Sequence, residues 1–470
     1  MNSKVFTQID QDNFSKLSGD FNPVHIDPIV ARRTLFGSSI LHGVHGLLYS
    51  IDLWLLSHQS EVTITKIRSK FYKPIKLNKE VTFYQKSSNP NQIELTLSCD
   101  GTLMTRVQIT YKDKRNSTDI FFDEILPPEA DPLNPPTEEI SSIESFLDLF
   151  LPKDNINDTF PYLFHFLDLN QITEILATTR LVGMICPGLH SIYSELFLET
   201  CMANKSKNLK FKVSSFDQRF GMIEMKLAGP TLKGKIIAFS RPANKEQISM
   251  KEANNLKLSK EFTNQRAVII GGSRGLGEVV AKIISAGGGS VRISFHQGKQ
   301  DALNICNEIK RAGGDADCFQ FNVLEKPNPE KDILGEFKPT HIYYFATPLI
   351  PQTQNQSFNQ EIYEDLCNYY VEGFQNTFLQ FQGLIRNFFY PSTSYIDENP
   401  KMFLEYVAAK EKAEEILGVI EKKNKIIIFK PRLPKMATDQ TVSLTSSNSE
   451  DAAPIMLKQL KEFIEKIDTN

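Results

Sequence analysis

Asp20 and His25 stand five positions apart in Ser18-Gly-Asp-Phe-Asn-Pro-Val-His25, and His42-Gly43 comes seventeen residues after that histidine. An imidazole exchanges protons near neutral pH. The acid, across an Asn-Pro turn, orients a water or takes the second proton role. The Gly43 amide lies at the start of an apolar helix. No side chain blocks it and the helix dipole favours negative charge there, so it suits an oxyanion. Removal of water from a 3-hydroxyacyl thioester needs these three functions, and the reverse hydration uses the same groups. Asn22 either steers His25 or only makes the turn; with Gly43 it is a substrate-side candidate. An acid-x4-His segment by itself is also an ordinary turn composition, with Asp capping nearby amides.

A second chemistry sits far along the chain, in Gly271-Gly-Ser-Arg-Gly275-Leu-Gly277 and Tyr406-Val-Ala-Ala-Lys410. Glycines between a strand and a helix let the backbone approach a pyrophosphate, and the helix N-terminus adds unpaired amides. The candidate cofactor-binding residues are therefore Gly271, Ser273, Arg274, Gly275, Leu276 and Gly277. Tyr406 and Lys410 share one helix face. The lysine is expected to depress the tyrosine pKa and bind a nicotinamide ribose, while the tyrosine protonates a carbonyl that accepts hydride. Ser294-Phe-His-Gln-Gly-Lys299 has no acid for a ribose hydroxyl, and Arg274 can face a 2′-phosphate, so NADP(H) is favoured over NAD(H).

The elements that position these groups are legible in outline. Residues 1–115 read as a helix-and-strand unit, with an apolar helix over 40–56 and strands over 63–71, 81–86, 93–99 and 104–111. Residues 116–140, rich in Pro and acids, suit an extended connector. Residues 141–243 look like a second copy without the acid–His pair. Gly188-Leu-His190 echoes Gly43-Val-His45 on an expected helix, and strands follow over 209–214, 222–227 and 234–239. Residues 244–262 read as a linker. From 263 to 470, short apolar strands alternate with helices, which implies a doubly wound parallel sheet. The fold class is multi-domain, α+β followed by α/β.

Composition excludes some partners. Hydrophobic residues are 41% and charged residues 23% of 470, and the net charge is −3. That balance suits a globular protein and gives no reason to expect nucleic acid or an anionic membrane. The six cysteines have no metal-like or CxxC spacing, so reduced thiols and a cytoplasmic location are expected, with no metal. No stretch reads as a signal core or a membrane span.

Residues 5–112 resemble the MaoC-like, hydratase-2 family of hotdog-fold (R)-specific enoyl hydratases. The resemblance rests on the Asp20–His25 segment, His42-Gly43 and Phe71-Tyr-Lys-Pro-Ile75. It implies Asp20 and His25 as the catalytic pair and Gly43 as oxyanion donor. With Leu181–Ser191 resembling a second central helix, it implies a double hotdog with one active and one supporting half. Residues 265–440 resemble the short-chain dehydrogenase/reductase family. That resemblance implies Tyr406 and Lys410 as catalytic, with Thr393, or else Ser392, binding the substrate carbonyl. Tyr344-Phe-Ala-Thr347 and Tyr370 depart from the family pattern; Tyr370 stands where a relay asparagine is usual. Together the resemblances imply a bifunctional enzyme on an acyl thioester of coenzyme A or an acyl carrier protein, and a homo-oligomer. A single-activity hydratase and a non-catalytic acyl-carrier scaffold are the alternatives.

Overall fold

The computed structural model describes residues 2–113, 124, 129–241, 243, 246–256, 258, 260–330, 332–351, 358–438 and 450–469. Contacts divide the chain into two compact units that meet between residues 243 and 244.

The first unit is organised by one ten-stranded sheet. Its first five strands are Asn2–Val5, Glu80–Asn89, Gln92–Cys99, Thr102–Lys112 and Thr63–Phe71, in spatial order. Thr63–Phe71 then pairs antiparallel with Ser191–Thr200, with Ile67 opposite Leu198. Beyond it lie Leu232–Ser240, Met222–Ala228, Asn208–Asp217 and Glu144–Asp148. Alternation along these strands sends one face inward, as in Gln92–Cys99, where Ile93, Leu95, Leu97 and Cys99 are buried.

A long helix packs against each half of the sheet. Gly43–His58 buries Val44, Leu47, Leu48, Ile51 and Leu55 completely. Each such side chain contributes about 2 kcal/mol of apolar burial. In the second half Leu169–Arg180 runs on as a π-helical turn through Ile185. This corrects the expected echo: Gly188–His190 is a short 3-10 turn leading into a strand, not part of a central helix. Pro187 offers no amide for a helical ladder, so the helix ends before it. The helix itself begins earlier, at Leu169, capped by Asp168.

The second unit holds a six-stranded sheet in which every pairing is parallel. Its order is Ala316–Gln320, Ser290–Phe295, Arg266–Ile270, His341–Tyr344, Asn387–Phe389 and Ile427–Phe429. The first three strands run outward in one direction and the last three in the other. That leaves a switch point beside Arg266–Ile270, where such sheets open a crevice. Of the connector expected over 116–140, residues 116–123 and 125–128 lie outside the described residues. So do 244, 245, 257 and 259 of the expected 244–262 linker. The rest of that linker is not loose: Ser249 caps helix Met250–Asn254 reciprocally with Glu252, and Met250 and Phe262 are buried in the core. No helix among the described residues is long and apolar enough to cross a membrane.

Candidate functional site

In the first unit Asp20, His25 and Gly43 line one cavity, with Val24, Phe36, Ile40, Phe71, Thr179, Gly183 and Tyr193 among its other walls. Local sequence explains their placement. Helix Gln8–Ser18 ends on left-handed Gly19, which turns the chain so that Asp20 faces inward. Asn22 caps the short helix Pro23–Ile26, which carries His25. The Asn22 amide also donates to the carbonyls of Gly183 and Gly188, at 2.8 and 3.0 Å. Asn22 thus builds the turn and ties it to the second half of the unit.

His25 Nδ1 lies 2.8 Å from the Ile40 carbonyl. A carbonyl only accepts, so Nδ1 carries the hydrogen and Nε2 keeps its lone pair. Burial pulls the His25 pKa down to about 4, against the backbone bond to Ile40. Burial likewise raises the Asp20 carboxyl to about 7, opposed by donors from Thr179 and the Asn22 amide. The Thr179 hydroxyl donates to Asp20 Oδ2 at 2.7 Å, and the backbone N–H of Asn22 to Oδ1 at 3.2 Å. Gly43 opens its helix, and its N–H has no acceptor among the described residues. A side chain there would meet the Phe71 ring at 3.0 Å.

Thr179 and Gly183 carry no recognisable sequence signal, and the contacts of His42 are not legible from its place beside Gly43. Thr179 and Gly183 come from a distant helix; a Cβ at 183 would lie 2.1 Å from Asp20 Oδ1, so only glycine leaves room for the carboxyl. His42 stacks on His25 with ring centroids 3.7 Å apart, places Nδ1 2.6 Å from Gln11 Oε1, and Nε2 3.1 Å from the Asp20 carbonyl. Asp20, His25 and His42 bring ligand-type atoms within 4.8 Å of one another. Imidazole lone pairs lie in their ring planes, however, and these planes are stacked at 26°. They do not converge on one ion, and the group suits proton exchange better than metal binding.

In the second unit strand Arg266–Ile270 runs into the glycine loop. Gly271 has φ +75°, and a Cβ there would lie 2.7 Å from the Ala346 backbone nitrogen. Its N–H donates to Ser294 Oγ at 3.0 Å. Helix Gly275–Ala286 begins at once, and the amides of Gly275, Leu276 and Gly277 have no acceptor among the described residues. Ser273 is buried and Arg274 is half-buried in the same loop.

Tyr406 and Lys410 lie on helix Leu404–Asn424. The Thr393 hydroxyl lies beside the Tyr406 phenol and draws its pKa down against burial. The Ser392 hydroxyl is instead taken by Glu414. Lys410 donates to the Pro391 carbonyl at 2.8 Å and sits over the rings of Tyr370 and Tyr390, 4.0 and 4.6 Å from their centroids. The expected depression of the tyrosine pKa is not found. Burial pushes Tyr406 up to about 12 and pulls Lys410 down to about 7. The desolvation that disfavours phenolate also strips the lysine of the charge that would have stabilised it. Tyr370 and Thr347 share a 2.7 Å hydroxyl–hydroxyl bond.

Residues 2–104 match the family model described as MaoC like domain. A 66-residue stretch, 14% of this chain, is 48% identical to the Peroxisomal hydratase-dehydrogenase-epimerase of Saccharomyces cerevisiae. The match spans only 7% of that protein's length. Solved structures similar to the chain include a short chain dehydrogenase of Escherichia coli complexed with NADPH. It is 14% identical with a TM-score of 0.39, over 43% of this chain and 92% of that one. An alcohol dehydrogenase of Thermococcus sibiricus complexed with 5-hydroxy-NADP is 15% identical with a TM-score of 0.36, over 42% and 89%.

Proposed function

We propose that the first unit hydrates 2-enoyl thioesters and dehydrates 3-hydroxyacyl thioesters, and that the second reduces 3-oxoacyl thioesters. The observation that carries the first half is the shared cavity of Asp20, His25 and the Gly43 amide. In hydration, His25 Nε2 accepts a proton from water as its oxygen attacks the β-carbon. The Asp20 carboxyl, held as an acid near neutrality, delivers a proton to the α-carbon. The Gly43 N–H, at the helix N-terminus, stabilises the enolate-like thioester oxygen between those steps. Dehydration reverses each transfer. The two five-stranded half-sheets, each with its long helix, support a double hotdog with the first half catalytic and the second supplying Thr179 and Gly183.

For the second unit, the unpaired amides of residues 275–277 and the close backbone approach at Gly271 fit a dinucleotide pyrophosphate. Arg274 and the missing acid after Ser290–Phe295 favour NADP(H), which supplies hydride when bound. Tyr406 would donate its proton to the substrate oxygen, with Thr393 orienting the phenol and the carbonyl. Lys410 supplies the ribose side of that cleft. A second reading, a hydratase whose reductase half only binds nucleotide, is favoured by one observation. The Lys410 amine is spent on the Pro391 carbonyl and two aromatic rings. Incubation with acetoacetyl thioester and NADPH, resolving 3-hydroxyacyl from enoyl products, tests both. NADPH oxidation with both products supports two activities; crotonyl thioester hydration without NADPH oxidation leaves the hydratase alone.

A further inference from the structure

Tyr406, Lys410 and Glu414 follow one another at intervals of four on helix Leu404–Asn424 and so share one face. That face meets three consecutive residues, Pro391 to Thr393. The Thr393 hydroxyl lies beside the Tyr406 phenol, Lys410 donates to the Pro391 carbonyl at 2.8 Å, and the Ser392 hydroxyl donates to Glu414 Oε1. The proposed reduction leaves the third contact without a role. Glu414 is itself braced: Arg432 Nε and Nη2 donate to its two oxygens at 3.1 and 2.7 Å, a fork that matches a carboxylate. Arg432 lies directly opposite Ser392, where Ser392–Thr393 pairs with Arg432–Leu433. Burial would raise the Glu414 pKa, but the Arg432 fork and the Ser392 hydroxyl hold it below its ordinary value, so it stays a carboxylate. Arg432 also reaches Asp397, an exposed pair worth at most about 1 kcal/mol, which leaves the Glu414 fork as the stronger tie.

We infer that Glu414 is a positioning residue for the reduction: it takes the Ser392 hydroxyl and, braced by Arg432, fixes the Ser392–Thr393 strand against the helix that carries Tyr406 and Lys410. The inference rests on the reductase reading above. With its hydrogen committed to Glu414, Ser392 is not the hydroxyl that receives the substrate carbonyl, and Thr393 is left for that task. The spacing of Thr393 and Tyr406 around that oxygen is then set by a carboxylate two turns further along the helix. A misplacement of about 1 Å at reacting groups costs about a hundredfold in rate. The glycine loop over 271–277 lies on a separate element, so nucleotide affinity does not depend on this tie.

The test follows NADPH oxidation with acetoacetyl-coenzyme A on the full chain and on Glu414→Ala, Glu414→Gln, Ser392→Ala and the Glu414→Ala/Ser392→Ala pair. Glu414→Ala should lower kcat about tenfold to a hundredfold with KM for NADPH unchanged. Glu414→Gln keeps an oxygen for Ser392 and should restore most of kcat. Ser392→Ala should also lower kcat, and the double variant should be no worse than Glu414→Ala, because both delete one tie. Unchanged kcat in Glu414→Ala, or losses that multiply in the double variant, overturn the inference. Equal loss of kcat and of NADPH affinity also overturns it, by making Glu414 a general support of the fold. Should Glu414→Ala fail to fold, Ser392→Ala decides: a tenfold lower kcat at unchanged KM for NADPH supports the tie, and an unchanged kcat overturns it. A chain that oxidises no NADPH before any substitution overturns the reductase reading and this inference with it, an outcome distinct from oxidation that the substitutions leave untouched.

Discussion

Each unit buries an acid and a base in its candidate site, and burial reverses their ordinary order. Asp20 rises to about 7 while His25 falls to about 4, and Tyr406 rises to about 12 while Lys410 falls to about 7. Burial favours the neutral form of all four groups. Thr179 and the Asn22 backbone N–H oppose the rise of the Asp20 carboxyl, as Thr393 opposes that of Tyr406. Lys410 has only distant help from Glu414.

The sharpest break of this comparison is a crossed pair of substitutions. His25→Ala should lower crotonyl thioester hydration by about 10²–10⁴-fold and leave acetoacetyl-dependent NADPH oxidation in place. Tyr406→Phe should do the opposite. Loss of the same single activity from both would end the two-site account. Gly183→Ala should come next. Its methyl must displace the Asp20 carboxyl, so hydration should fall at least tenfold and stability by about 1–3 kcal/mol, read by chemical denaturation.

Thr179 sharpens the first half of the comparison. Thr179→Val removes a donor that lowers the Asp20 pKa, so the basic limb of the hydration pH profile, set by loss of the carboxyl proton, should move to higher pH. Thr179→Ser should return it. A profile that stays put in the Val variant would reduce Thr179 to a packing role.

The smallest expected effect is on stability. The folded Asp20 pKa of about 7 exceeds the ordinary aspartate value of 3.8. The folded chain therefore holds the extra proton in that window, and its stability falls as pH rises from about 4 to about 7. Asp20→Asn has no such loss, so its advantage over the unsubstituted chain should grow by about 2 kcal/mol between pH 5 and pH 8. Fluorescence of Trp54, the single tryptophan, reports on this unit. An advantage that is flat with pH would refute the raised carboxyl pKa.

Much of the fold was open to a reader of the chain. The strand expected over 63–71 is found as Thr63–Phe71, and the second unit has the parallel sheet of short strands alternating with helices expected from 263 onward. These are apolar runs between clear turn residues. Asn2–Val5, Glu144–Asp148 and Ser191–Thr200 went unread, because partly exposed or charge-interrupted strands have no clean alternation. The helix over 169–185 was missed for a similar reason. Its buried Gln171, Thr173, Glu174 and Thr178 blur the apolar stripe; Gln171 and Glu174 find partners on other elements, at Ile64 and Thr231, while Thr173 and Thr178 bond back to carbonyls of their own helix.

What the chain alone determined was the inventory of reactive groups: an acid and an imidazole flanking an Asn-Pro turn, a bare amide opening an apolar helix, a glycine loop after a strand, and a tyrosine one turn before a lysine. Local spacing is enough for these, because turns, caps and helix faces are decided within a few residues. Only the tertiary structure decided which hydroxyl reaches Tyr406, that Thr179 and Gly183 frame Asp20 from 159 and 163 residues away, and that Tyr406 and Lys410 are pushed apart rather than together. Those outcomes depend on desolvation and on atoms brought close by sheet pairing, and neither quantity is written in local sequence.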